Sequence, residues 1–197
     1  MSDAFVKWCR SSTSSTAFLA MVDRFSAAGI ALSNPSTRTA VLLDADGDQV
    51  TTTAAELASL IDRRFATTLT FEWWFSADED LTCAYTFEHG KREVQTFYLD
   101  GLSSEQIATT SNLIQELFWE RPDVADWLIV DTIGHSADFD WDNYLQYGDG
   151  DPSKAAAPDF IILSDTTLKA RSGLPRSSAP NASDSGFVEI ARGDWLR

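Results

Sequence analysis

The spacing of hydrophobic positions changes several times along this chain, and each change marks an element. Phe18, Met21, Val22 and Phe25 recur every three or four residues after the cap-rich stretch 11–16. This spacing is one face of a helix and predicts a helix over 14–28, ended by Gly29. A loop at 33–36 leads into a short apolar run at 39–43, read as a strand. Residues 44–48 turn the chain, and 49–52 return it. Thr53 and Glu56 then form a capping box, with Leu57, Leu60, Ile61 and Phe65 along the apolar face of a second helix.

The period next drops to two. Over 68–75, Leu69, Phe71, Trp73 and Phe75 face one way, while Thr70, Glu72 and Trp74 face the other. Leu81, Cys83, Tyr85 and Phe87 repeat the pattern, and 94–99 supplies a third strand. The links are 76–80 and 88–91, the second placing His89 in a hairpin turn beside Gly90 and Lys91. An antiparallel meander with an aromatic face follows. Its other face, with Thr70, Glu72, Trp74, Thr82, Thr86 and Glu88, suits solvent or a partner.

Ser103 or Ser104 caps a third helix lined by Ile107, Ile114, Leu117 and Phe118, which Arg121-Pro122 ends. Short apolar runs at 127–130, 160–163 and 187–190 read as further strands, the last two with open edges. The expected fold class is α+β: an antiparallel β-meander in a single sheet, covered by two to three helices. The element order is distantly ferredoxin-like, with one strand too many. One domain over 1–197 is expected, with 169–186 a flexible Ser/Pro-rich loop inside it.

Charge changes the picture more than size does. Thirty acidic against fifteen basic residues give a formal net charge of -15. This disfavours direct nucleic-acid binding and attachment to anionic membrane, since both need a positive surface. The first residues have no basic-then-apolar leader pattern and no run spans a bilayer, so cytoplasm is the expected location. Two cysteines are too few for a disulfide framework. Cys83 reads as a buried small hydrophobe; Cys9 stands near the start of the first helix.

Chemistry has few footholds. Asp44, Asp46 and Asp48 begin like a calcium loop, but Gln49 stands where a glycine is needed and Ala55 where the closing glutamate belongs. An acidic hairpin turn is the better reading. Asp131, His135, Asp138, Asp140 and Asp142 form a second cluster, of the residue types that hold a hydrolytic metal. A helical geometry would gather His135, Asp138 and Asp142, and an extended one Asp138, Asp140 and Asp142. The spacing matches no established motif. No Walker or dinucleotide fingerprint is present, and no cofactor is called for.

The remaining signal is one of distribution. Between Glu120 and Asp165 stand eleven acidic and two basic residues, punctuated by Trp127, Phe139, Trp141, Tyr144, Tyr147 and Phe160. Over 138–144, rings alternate with carboxylates: Asp138, Phe139, Asp140, Trp141, Asp142 and Tyr144. If those rings are core, the aspartates simply keep the surface soluble. If they reach the surface, they are anchors inside a negative field, suited to a basic protein partner. By charge and size, and by no motif, the chain is analogous to small acidic inhibitors such as immunity proteins, which occupy the cleft of a basic toxin or nuclease. The leading expectation is an acidic protein-binding or inhibitory domain. The alternatives are a small metal-dependent hydrolase using the 131–142 cluster, and a structural assembly subunit.

Overall fold

A computed structural model of the chain describes residues 3–11, 14–64, 67–88, 92–175 and 186–195. Phe65 of the expected second-helix face, and the His89–Gly90–Lys91 turn, lie outside them. Nine strands form one sheet in the order β3-β2-β4-β5-β6-β1-β7-β8-β9, and each paired neighbour is antiparallel. The strands are β1 (Phe5–Ser11), β2 (Ala40–Leu43), β3 (Gln49–Thr52), β4 (Thr68–Trp74), β5 (Asp80–Glu88), β6 (Arg92–Tyr98), β7 (Ala125–Asp131), β8 (Phe160–Ser164) and β9 (Phe187–Ala191). Eight coincide with the expected runs, but β8, expected with an open edge, is paired on both sides by β7 and β9, which leaves the edge to β9. The ninth, β1, was not anticipated, and it sits in the middle of the sheet between β6 and β7.

Helices α1 (Ser15–Ala27), α2 (Ala54–Arg63) and α3 (Ser104–Glu120) cover one face. Local chemistry starts each of them. Ser14 Oγ accepts from the Ala17 amide, while Thr53–Glu56 and Ser103–Gln106 form reciprocal capping boxes. Their apolar stripes meet the meander: Phe18 stands edge-on to Phe71 and Tyr85, and Phe25 stacks on Trp73 and Phe97. This first core also takes Val6 and Trp8 from β1.

The second face carries a smaller core over β1, β7, β8 and β9. It is closed by α4 (Trp141–Tyr147), by Leu168 of α5 (Asp165–Ala170), and by Leu174 and Trp195. Phe5 and Cys9 of β1 point here, while Cys83 points into the first core. The sheet therefore separates the two thiols, and they form no disulfide. Cys9 belongs to the central strand, a correction to its placement near a helix start. Burial also pushes the Cys83 thiol well above its ordinary pKa.

The stretch 169–186 is not a loop throughout. Lys169 and Ala170 close α5, and Arg171 donates to the carbonyls of Leu145 and Gln146. Leu174 packs in the second core, and 176–185 lie outside the described residues. The acidic turn at 44–48 is a hairpin device. Asp44 Oδ1 accepts from the amides of Asp46 and Asp48, and Gly47 takes a φ of 85°. Among the described residues, no helix is long and apolar enough to cross a membrane.

Candidate protein-binding face around the fourth helix

The 131–151 stretch begins where β7 leaves the sheet. Asp131 is fully buried there, and its Oδ2 accepts from the Ser136 amide at 2.6 Å and the Ser136 hydroxyl at 2.7 Å. That pair closes a tight turn. Gly134 sits inside it with a φ of 68°, and a Cβ at this position would lie 2.6 Å from the Asp3 carbonyl carbon. Only glycine fits so close to the backbone that leads into β1.

Asp140 is the N-cap of α4, accepting from the Asn143 amide at 3.2 Å. Asp142, in the first turn, pairs with Lys7 of β1 at 2.9 Å. Gly148 ends the helix in the left-handed conformation, and Arg171 reaches back to its last carbonyls. Held at both ends, α4 turns Trp141, Tyr144 and Leu145 onto the sheet.

This orientation corrects the expected anchors. Trp141 is 0% and Tyr144 1% exposed, so neither ring is at the surface. Trp141 Nε1 donates to the Ser136 carbonyl at 3.2 Å, and Tyr144 OH donates to the Ser172 carbonyl. Burial raises the Tyr144 phenol above its ordinary pKa, with Arg171 opposing. The rings that do reach the surface here are Phe139, half-buried, and Tyr147, 58% exposed. Tyr147 stands at the end of α4, away from the buried stripe.

Two acidic segments approach each other in a way the linear pattern does not reveal. Gly150, at a φ of 114°, lies against the Phe139 ring: a Cβ there would sit 3.2 Å from it. Phe139 is flanked by Asp138 and Asp140, and Gly150 by Asp149 and Asp151. One contact between a ring and a glycine therefore sets side by side two segments that each carry two aspartates. Asp138, Asp140 and Asp149 are exposed. Hydrogen bonds from the Ser153 hydroxyl and amide, with Lys154 nearby, hold the Asp151 carboxyl below its ordinary pKa. Asp149, Asp151 and Tyr147 were absent from the expected patch. The sequence signal for them was only their place in the acidic, ring-punctuated stretch 120–165.

The metal reading fares differently. Asp131 faces inward, with its Oδ1 3.7 Å from Arg192. Exposed His135 instead lines a hollow of about 530 Å³ with Ser153, Ala155, Arg192 and Trp195, a lining that lacks Asp138, Asp140 and Asp142. Among the described residues no three His, Cys, Asp or Glu side chains gather to hold a metal ion. The five side chains proposed as ligands are spent on a turn, a cap, an ion pair and exposed surface. No protein-family model matches the chain, and no curated protein or solved structure matches it either.

Proposed function

We propose that the chain is an acidic binding or inhibitory domain whose α4 face docks a basic protein. The observation that carries this reading is the contact of Phe139 with Gly150, which concentrates Asp138, Asp140, Asp149 and Asp151 beside exposed Tyr147. Residues 138–151 contain five aspartates and no lysine or arginine. Among the described residues, two of the five have a cation: Lys7 on Asp142 and Lys154 on Asp151. The negative field that remains speeds encounter with a positive surface, and it weakens steeply with salt. Tyr147 supplies the amphipathic ring that such interfaces favour. The core rings act beneath the face, fixing α4 and both loops in place.

A photo-crosslinking amino acid at position 147, expressed in the native cell, tests this. Position 50 in β3, where Val50 is also exposed, at 46%, is the control site. The expected result is a discrete adduct with a basic protein at 147 only, lost when Asp138 and Asp149 are both replaced by Lys. Equal yields at 147 and 50, or an adduct indifferent to the charge reversal, would overturn the reading.

A further inference from the structure

We infer that a second, independent site exists on the opposite face of the sheet: a cavity that binds a small amphipathic organic anion. It lies between α1, the C-terminal end of α3 and the end of β1, with a volume of about 340 Å³. Small-molecule sites typically span about 300–1,000 Å³. Its apolar walls come from Trp8, Ala17, Ala20, Met21, Leu117 and Val124. Three guanidinium groups, Arg10, Arg24 and Arg121, line the same cavity. Glu120 lines it as well, so the cavity gathers guanidinium donors without reversing the prevailing negative charge of the chain.

The deepest of these groups is built in. The Arg10 guanidinium lies 4.2 Å over the Trp8 ring, and Arg10 is 7% exposed. Its Nε donates to Glu93 at 2.8 Å and its Nη2 to Tyr85 OH at 3.3 Å. Glu93 also accepts from Gln95. Backbone pairing fixes this geometry, since Arg10 and Glu93 are direct partners across β1 and β6. The stacked Trp8–Arg10 pair gives a rigid apolar and cationic wall. Among the described residues, the buried Trp8 indole N–H has no hydrogen-bond partner.

Arg24 and Arg121 stand at the mouth. Arg24 pairs with Glu116 and Glu120, and Arg121 with Asp123. All of these side chains are exposed, so their pairs exchange readily with solvent and salt. A guanidinium carries five N–H donors, and these ion pairs engage two nitrogens of each. An incoming sulfonate or carboxylate therefore finds donors at the rim while its hydrocarbon body enters between Met21, Leu117 and Trp8. Both features are needed together: apolar walls select the body, and guanidiniums select the sign of the head group.

The probe is 1-anilinonaphthalene-8-sulfonate, titrated into the full chain by dye fluorescence and calorimetry. N-phenyl-1-naphthylamine, which has the same rings without the sulfonate, is run beside it. The expected result is one saturable site that prefers the anion at least about tenfold, the scale of one charge-assisted hydrogen bond. Replacing Arg24 and Arg121 together by Gln should remove that preference, whereas Arg63→Gln on α2 should not. Ala17→Phe should abolish binding by filling the cavity. Ala20→Trp repeats that test from the exposed rim should Ala17→Phe fail to fold. Absence of saturable binding, equal affinity for the two dyes, or binding unchanged in both the Gln pair and the filled variants would each overturn the inference.

Discussion

Replacing Trp141 by Ala tests how the α4 face is built. Were Trp141 a surface anchor, its loss would weaken partner binding and leave folding intact. Its burial dictates the reverse. The ring has no exposed surface and lies 4.7 Å from Phe139, 5.9 Å from Trp195 and 6.3 Å from Tyr144, centroid to centroid. Truncating a buried aromatic of this kind costs about 3–5 kcal/mol, part in lost burial and part in the cavity left behind. Losing the Nε1 hydrogen bond to Ser136 adds about 1 kcal/mol.

The sum is about 4–6 kcal/mol, a large share of the roughly 5–15 kcal/mol that separates folded from unfolded domains. With a urea slope of about 2 kcal/mol/M, the midpoint should fall by about 2–3 M. Far-UV circular dichroism is the assay, because removing a tryptophan changes the fluorescence baseline. Tyr147→Ala, at the exposed end of the same helix, should move stability by no more than about 0.5 kcal/mol. Should Trp141→Ala emerge unfolded, Trp141→Phe preserves part of the packing and gives a measurable partial loss. A midpoint and slope unchanged in Trp141→Ala would refute the argument and return the ring to the surface.

Four further outcomes follow from other parts of the molecule. Glu93→Ala strands the buried Arg10 charge and should cost about 3–5 kcal/mol, more than the paired replacement Arg10→Met with Glu93→Leu; a single mutant of wild-type stability would refute this. Gly134→Ala should destabilise more than Gly29→Ala in urea melts: both need positive φ, but at Gly29 nothing lies within 4 Å of the added carbon, and equal costs would remove the close approach to Asp3. Burial raises the Glu72 carboxyl above its ordinary pKa, with Gln49 lowering it and Asp80 raising it. The native state thus holds that proton longer, so stability present below the ordinary value is lost as pH rises through the raised one. Glu72→Gln should flatten that fall, and an identical pH profile would count against the burial. Cys83, buried and with its pKa pushed up, should resist iodoacetamide in the native chain at about pH 8 and react on unfolding; fast native labelling would exclude it from the core.

Most strands and the three long helices were readable because each buries one side. The meander shows period two since its aromatic face meets α1 and α2 while Thr70, Thr82 and Thr86 face away from them. The helices announce themselves through their caps, as Thr53–Glu56 does. Central β1 escaped for the opposite reason. Val6 and Trp8 enter the first core, Phe5 and Cys9 the second, so no apolar–polar alternation survives. Lys7 and Arg10 disguise it further, and both are satisfied by carboxylates 135 and 83 residues away. A strand covered on both faces and stitched by distant ion pairs has no local signature of its own.

The same reasoning separates what was legible at the α4 face from what was not. The acidity of 120–165 could be counted, yet the alternation of ring and carboxylate over 138–144 did not say which set faced outward. That depended on α4. A helix starting at Asp140 places Trp141, Tyr144 and Leu145 on one side, and this side is the one facing the second core. Once the rings turn inward, the intervening charges must turn outward or find a cation, as Asp142 does with Lys7. The aspartates of 148–151 then join them through Gly150, whose missing side chain lets the loop close on Phe139. The buried rings and the acidic surface are therefore one construction. Packing of Trp141 and Tyr144 sets the position of α4, and α4 sets the spacing of the carboxylates that a basic partner would meet. Conservative repacking beneath the face, as in Trp141→Phe, should thus alter partner dissociation while leaving the salt dependence of association intact, because the charge count is unchanged.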